Sequence, residues 1–379
     1  MDAWVASAAE EIAVRAERDL EALVAVSSPS GDTAGAEECI AVAGALAPAE
    51  AAIERLPCST PGHAGDVVLR LTGSGRGRVL LVGHLDTVVD HESHRPLVRD
   101  GERLVGSGAV DMKGGDVLAL GVLRALAGRT SDFAEVALLL VTDEEWRSAP
   151  FAHVDAFAGW DACLCFEAGQ STPAGDDAVI VRRKAAATLR IVATGLSAHS
   201  GSAPERGRNA LLALATAAHA VAAANDPRGE DHLTAVPTIV HSGEAFNVVP
   251  ANGELFCDLR SDRTEAFDAV RALVPAEVGG AELRADFARL WPAMDARAAT
   301  EPLLAVGSER LGRAIVGAGR GGASDASHFA REIPLTIDGL GPRGGGAHAR
   351  DEYVLASSLR PRAEVALAIV DAALAVAAR

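Results

Sequence analysis

The chemistry-bearing residues of the sequence gather in five short segments. In Val82-Gly83-His84-Leu85-Asp86-Thr87 an apolar run ends in a histidine and an aspartate two residues apart. Side chains two apart on a strand face the same way, so His84 and Asp86 project together from its carboxyl end, where open α/β sheets place their sites. A carboxylate beside an imidazole can fix its tautomer and raise its basicity toward a metal. The run Gly106-Ser107-Gly108-Ala109-Val110-Asp111-Met112-Lys113-Gly114-Gly115 turns tightly on its glycines and puts Asp111 at or just before a helix start, as an N-cap or as a ligand. It has neither GxxxxGK[ST] nor GxGxxG spacing, which argues against nucleotide binding. Thr142-Asp143-Glu144-Glu145-Trp146 sets three acids directly after a hydrophobic strand, a costly cluster unless cations neutralise it. Glu167 ends another apolar run in Cys165-Phe166-Glu167-Ala168, and His348 stands at the tip of the loop Gly344-Gly345-Gly346-Ala347-His348. Two histidines and three acids at sheet ends or adjacent loops are the ligand set of a two-metal hydrolytic site.

These segments need a frame. Helical periodicity over residues 2–26 stops at Ser27-Ser28-Pro29-Ser30-Gly31-Asp32, which cannot continue a helix and can cap the next, expected over 33–46. Strands are expected at 66–71, 78–82, 135–141 and 162–166, with a helix over 113–126. Strands alternating with helices predict an α/β domain with a largely parallel sheet. From about residue 181 the pattern changes to a strand at 188–193, an Ala/Leu helix at 207–224, strands at 236–241 and 254–260, a helix at 264–273 and a strand at 281–288. That β-α-β-β-α-β order predicts a ferredoxin-like α+β unit. The expected organisation is a catalytic domain over 1–181 and 292–379 with an inserted domain over 182–291. A strand at 333–338 and a closing helix at 357–378 complete the first domain.

The 379 residues, 49% of them hydrophobic, suffice for two domains. No apolar run approaches the roughly 20 residues that cross a bilayer. A net charge of −17 repels nucleic acid and anionic membranes. The first residues show no basic n-region followed by an apolar stretch, so the cytoplasm is the expected location. The five cysteines are scattered, and Cys163 and Cys165 are too close for an ordinary disulfide, so all five are expected to be buried reduced thiols and not ligands.

Taken in order, Gly83-His84-Leu85-Asp86-Thr87-Val88, Asp111-Met112-Lys113-Gly114-Gly115 and Thr142-Asp143-Glu144-Glu145 resemble the M20 metallopeptidases, and the likeness runs over nearly the whole chain. The resemblance implies a mostly parallel-sheet zinc-peptidase domain with an inserted lid or dimerisation domain. It implies two Zn2+ ions, with Co2+ or Mn2+ as possible substitutes: His84, Asp111 and Glu167 on one, and Asp111, Glu145 and His348 on the other. Asp86 would steady His84, and Glu144 would be the general base, since a carboxylate aimed at the nucleophilic water can take its proton and pass it to the leaving nitrogen. In the inserted domain His199 would donate to the oxyanion, in several relatives from a partner subunit. Asn247 and Arg260 would grip substrate, the latter by a bidentate fork on an α-carboxylate. Ser324 belongs to a glycine-rich loop lining the pocket.

The implied activity is cleavage of an amide next to a free α-carboxylate, on a peptide or an N-acyl amino acid. The overall pattern looks closest to carboxypeptidase G2-like exopeptidases; an N-acyl-amino-acid deacylase is the alternative, and a catalytically silent binding relative would have little reason to keep all five ligands and Glu144. Where a glutamate-reading enzyme of this family carries cations, the chain has Ala178 and Trp291. An uncharged pocket favouring neutral or apolar side chains is therefore expected. A homodimer through the inserted domain is also expected.

Overall fold

The computed structural model describes residues 1–377. They form two compact units, one of Met1–Arg182, Met294–Gly319 and Ser324–Arg379, the other of Arg183–Ala293 with Arg320–Ala323.

The first unit is built on a six-stranded sheet. Its central strands, Arg78–His84, Glu135–Val141 and Ala162–Cys165, are almost wholly apolar, as strands buried on both faces must be. Val79, Leu81, Val136, Leu138 and Leu140 turn to one core, and Leu80, Val82, Ala137, Leu139 and Val141 to another. The first core holds the apolar faces of the helices Ala3–Val24, Gly114–Ala127 and Leu359–Ala377; the second holds Phe157, Trp160 and Phe329. Asp2 caps the first helix by accepting from Trp4 N and Val5 N, and Asp32 caps Thr33–Leu46 through Gly35 N. The central strands pair parallel, His84 beside Val141 and Val82 beside Cys165, and Thr336–Ile337 adds a third parallel pairing. Ala52–Leu56 and Asp66–Thr72 join antiparallel at the other edge. The sheet is thus mostly parallel.

The strand expected at 333–338 shrinks to Thr336–Ile337. Ile333 N donates to Phe329 O at 2.8 Å and Thr336 Oγ1 to Ile333 O at 2.6 Å, so the preceding residues close a turn instead of extending. The closing helix begins at Leu359, and position 378 of the expected helix lies outside the described residues. No helix among the described residues is long and apolar enough to cross a membrane.

The second unit is an antiparallel sheet with one buried face. Ala185–Thr194 lies between Asn252–Ser261 and Ala281–Trp291, with Thr234–Ser242 at one edge. Leu189, Ile191, Leu255, Cys257 and Leu259 bury against Ala213, Leu214 and Ala217 of the helix Ala210–Ala223 and against Phe267 and Val270. Alternation along Ala281–Trp291 shows the same one-sided burial. The strand order is that of a ferredoxin-like β-α-β-β-α-β fold.

Candidate metal centre

The parallel register positions the site. Three neighbouring strands end on the same side of the sheet, and the residues that follow them are His84 with Asp86, the acids 143–145, and Glu167. The Asp111 loop is drawn to the same place. Gly115 lies so close to the Glu167 segment that a Cβ on it would sit 1.8 Å from the Phe166 carbonyl oxygen. Glycine is what permits that approach. Tyr353–Leu355 pairs antiparallel with Arg103–Val105, and Gly106 N donates to Glu352 O at 3.0 Å, so the segment after His348 runs beside the segment before Asp111.

Within this frame Asp111 is flanked by two imidazoles. His84 Nε2 lies 3.2 Å from Asp111 Oδ1 and 3.7 Å from Glu167 Oε1, while His348 Nε2 lies 3.1 Å from Asp111 Oδ2 and 3.2 Å from Glu145 Oε2. The donors form two groups, His84/Asp111/Glu167 and Asp111/Glu145/His348, with the offered atoms of each group within 4.8 Å of one another. Asp111 is common to both and turns a different oxygen to each. This fits a pair of divalent cations sharing one carboxylate, with imidazole and carboxylate donors suited to zinc.

Asp86 organises the neighbourhood. His84 Nδ1 faces the Asp86 carbonyl at 3.0 Å and its carboxylate at 3.4 Å, which leaves Nε2 directed at the acids. The Asp86 carboxylate accepts Glu144 N on Oδ1 and Glu145 N on Oδ2, both at 3.1 Å. Burial alone would raise the Asp86 carboxyl, but His84 and the Glu145 amide bring it below the usual range. Burial likewise opposes ionisation of Asp111, yet His348 and His84 hold it well below that range. The carboxylates of Asp111 and Glu145 lift the His348 imidazole to about 10. Burial, then the charge of Asp325, pushes the Glu144 carboxyl well up. His348 has φ 65°, a left-handed conformation that costs a residue with a Cβ roughly 1 kcal/mol. Such a cost is retained where the position of a side chain matters.

Residues 80–372 match the Peptidase family M20/M25/M40. The chain belongs to that family. It is 28% identical over 374 residues to carboxypeptidase G2 of Pseudomonas sp. (strain RS-16), covering 93% of this chain and 88% of the relative. It is 28% identical over 335 residues to succinyl-diaminopimelate desuccinylase of Rhodospirillum centenum, covering 80% and 84%. Among solved structures, aminopeptidase PepT of Bacillus cereus superposes with a TM-score of 0.72 at 20% identity, over 95% of this chain and 98% of that one. Human carnosine dipeptidase 1 gives 0.67 at 12% identity, over 98% and 100%. The chain is an M20 metal-dependent hydrolase of the peptidase and deacylase type.

The second unit of this M20 chain carries three of the expected site residues. His199 Nδ1 accepts Gly201 N at 3.1 Å and Ser202 N at 3.2 Å, so the ring hydrogen sits on Nε2. Ser200 N donates to Asn247 O, and His199 bridges Val248, which brings the His199 and Asn247 loops together. Arg260 turns its fork onto Asp258, two residues back on the same strand face, at 3.1 and 3.0 Å.

Ser324 is buried, and its hydroxyl donates to Asp338 Oδ2 at 2.6 Å. Ala178 is fully buried, with its carbonyl accepting from Arg362, and Trp291 is buried with the Arg289 guanidinium 4.8 Å from its ring centroid.

Sequence reasoning missed two supports. Glu352 accepts Gly108 N, Val110 N and Asp111 N at 2.8–2.9 Å and so holds the Asp111 loop. Arg147 joins Asp143 to Asp325, the latter bidentate at 2.5 and 2.8 Å. The i,i+4 spacing of Asp143 and Arg147 was the only sequence hint of either.

Proposed function

We propose that this chain cleaves an amide bond next to a free α-carboxylate, with Glu144 as general base and two Zn2+ ions on the five donors that meet at Asp111. The observation that supports it most directly is Asp111 itself, set between two imidazoles with one oxygen toward each. When bound, two such cations lower the pKa of a shared water and polarise the scissile carbonyl. Glu145 and Glu144 then divide the work. Glu145 turns its carboxylate to His348, whereas Glu144 keeps a half-buried carboxyl whose raised affinity for a proton suits taking one at Oε and handing it to the leaving nitrogen. Asp86, by receiving both backbone amides, fixes the two glutamates relative to His84. His199 presents an Nε2–H donor suited to an oxyanion, and Arg260, released from Asp258, supplies the fork for a carboxylate.

A carboxypeptidase of this kind and an N-acyl-amino-acid deacylase share every one of these residues; the desuccinylase relative favours keeping the second reading. The substrates on either reading are small peptides or N-acyl amino acids. A homodimer through the second unit is supported by the Thr234–Ser242 edge strand, which exposes Val236, Ile239 and Val240 beside an unpaired strand edge. None of the five cysteines is in a disulfide, which suits a reducing cytoplasm.

The test of the base is Glu144→Gln, which keeps shape and removes the proton acceptor. Metal content should stay at the wild-type level while kcat falls about 10²- to 10⁴-fold. A variant with near-normal kcat would remove Glu144 from the role. A hydrolysis screen of blocked dipeptides against N-acyl amino acids, each with a free or amidated α-carboxylate, separates the two substrate classes. Cleavage of the amidated forms would refute the carboxylate requirement.

A further inference from the structure

One more set of metal-ligating side chains converges outside the Asp111 centre. Cys58 and His63 lie in the loop between the strands Ala52–Leu56 and Asp66–Thr72, and their ligand atoms come within 4.8 Å of each other and of a carboxylate oxygen of Asp143. The loop is folded onto that carboxylate: Thr60 N donates to Asp143 Oδ2 at 3.0 Å, and His63 N donates to Thr60 O at 3.3 Å. Thr142 Oγ1 lies 2.8 Å from Ala64 O and 3.7 Å from Cys58 Sγ. Cys58 is the half-buried exception among five cysteines expected to be buried.

Two features point to a ligand. His63 Nδ1 is buried and has no hydrogen-bond partner among the described residues, a state that costs an imidazole nitrogen its hydration with nothing in return. Carboxylates crowd the loop: Asp66 and Asp143 are both fully buried, Asp66 faces His153 Nε2 at 2.6 Å, and Arg147 divides its charge between Asp143 and Asp325.

We propose that Cys58, His63 and Asp143 form a separate binding site for a thiophilic divalent cation of the zinc class. Sulfur, nitrogen and oxygen donors in one set suit zinc and cobalt and disfavour magnesium or calcium. Three protein donors leave a fourth tetrahedral position for water. Binding breaks the Cys58 S–H bond, forms a sulfur–metal bond and releases one proton to solvent. The bound cation would tie the loop at residues 57–65 to the residue immediately before Glu144. The site shares no donor with the Asp111 centre, and its existence does not depend on the peptidase reading.

Cobalt distinguishes the two sites, because only a thiolate ligand gives an intense sulfur-to-cobalt charge-transfer band in the near ultraviolet, and the Asp111 centre has no sulfur. The full-length apoprotein, kept reduced with a thiol-free phosphine, is titrated with Co2+ and followed by absorption. The expected result is a charge-transfer band in the wild type that is lost in Cys58→Ser with cobalt still bound at the Asp111 centre. His63→Gln should weaken the cobalt affinity read from that band by about tenfold or more, the lower end of what even outer-shell losses cost. It decides the matter if Cys58→Ser does not fold, since a folded His63→Gln with unchanged affinity overturns the site. A wild-type protein with its thiols confirmed reduced and no band at saturating cobalt would overturn it too, as would a band that persists in folded Cys58→Ser.

Discussion

Around Asp111 each functional side chain is held from several directions, whereas in the second unit the side chains of His199 and Arg260 stand on an exposed loop and an open strand face and are held by their own turn or strand. Asp86 is buried and binds an imidazole and two amides; Asp111 has its backbone held by Glu352 and its carboxylate set between two histidines. His199, by contrast, is exposed and is fixed by two amides from its own turn. The difference separates two tasks. A charged cluster in a low-dielectric setting has to be over-determined, or its acids would take up protons or move apart. A donor needed only when charge develops on a substrate can wait on a surface loop.

The comparison can be broken most directly at Asp111. Asp111→Ala should abolish turnover and strip metal from both donor groups, measured as metal per chain after dialysis against buffered zinc; undiminished metal content would remove Asp111 as the bridge. In the second unit, His199→Ala should lower kcat by about 10²- to 10³-fold, the range for losing one oxyanion donor, with little change in KM and none in metal content. An effect confined to KM would make it a binding residue. If the exposed edge strand pairs two chains, mixing inactive Glu144→Gln and His199→Ala subunits should recover part of the activity, and verified subunit exchange without recovery would exclude a shared site.

A smaller effect is expected one step back from the donors. Glu352→Gln leaves an acceptor but halves the carboxylate that serves three amides, so metal retention against a chelator should weaken about 10- to 100-fold. Unchanged retention would mean the loop holds itself. The smallest effect concerns stability alone. His328, stacked on Phe151 with centroids 4.9 Å apart, is lowered to about 4 by burial. The unfolded chain, with an ordinary histidine near 6.5, therefore binds the extra proton between those values. Stability from this residue is complete above about pH 6.5 and declines as pH falls toward 4, by at most about 3 kcal/mol. Denaturant unfolding at several pH values should show the slope, and His328→Gln should flatten it.

Much of the site could be read from sequence because strand ends leave a signature. An apolar run stopping at His84, at Glu144-Glu145 or at Glu167 announces both the strand and the side chain that leaves it, and parallel pairing does the rest. What escaped has no periodic mark. Glu352 is a single acid in a loop whose partners lie far back in the chain, and the glycine-rich run before Ser324 does not show that its hydroxyl turns to Asp338. Nothing in the sequence around Ala178 shows that it lies in the buried strand Asp177–Arg183 with its carbonyl accepting from Arg362. The ferredoxin-like order was legible from alternation, which one-sided sheets display more plainly than buried ones.

The order of the donors along the chain has a consequence for synthesis. His84, Asp111, Glu145 and Glu167 all precede the second unit, and His348 comes after it, near the closing helix. While a ribosome is still making the second unit, the growing polypeptide lacks the imidazole that faces Glu145 and the Glu352 carboxylate that steadies Asp111. A chain emerging vectorially therefore cannot assemble a competent hydrolytic centre until its final segment returns to the first unit, and pairings so distant in sequence form late. If His348 is the ligand proposed above, the enzyme would be inert for most of its own translation, and the long detour through the second unit would act as a timer on its first turnover.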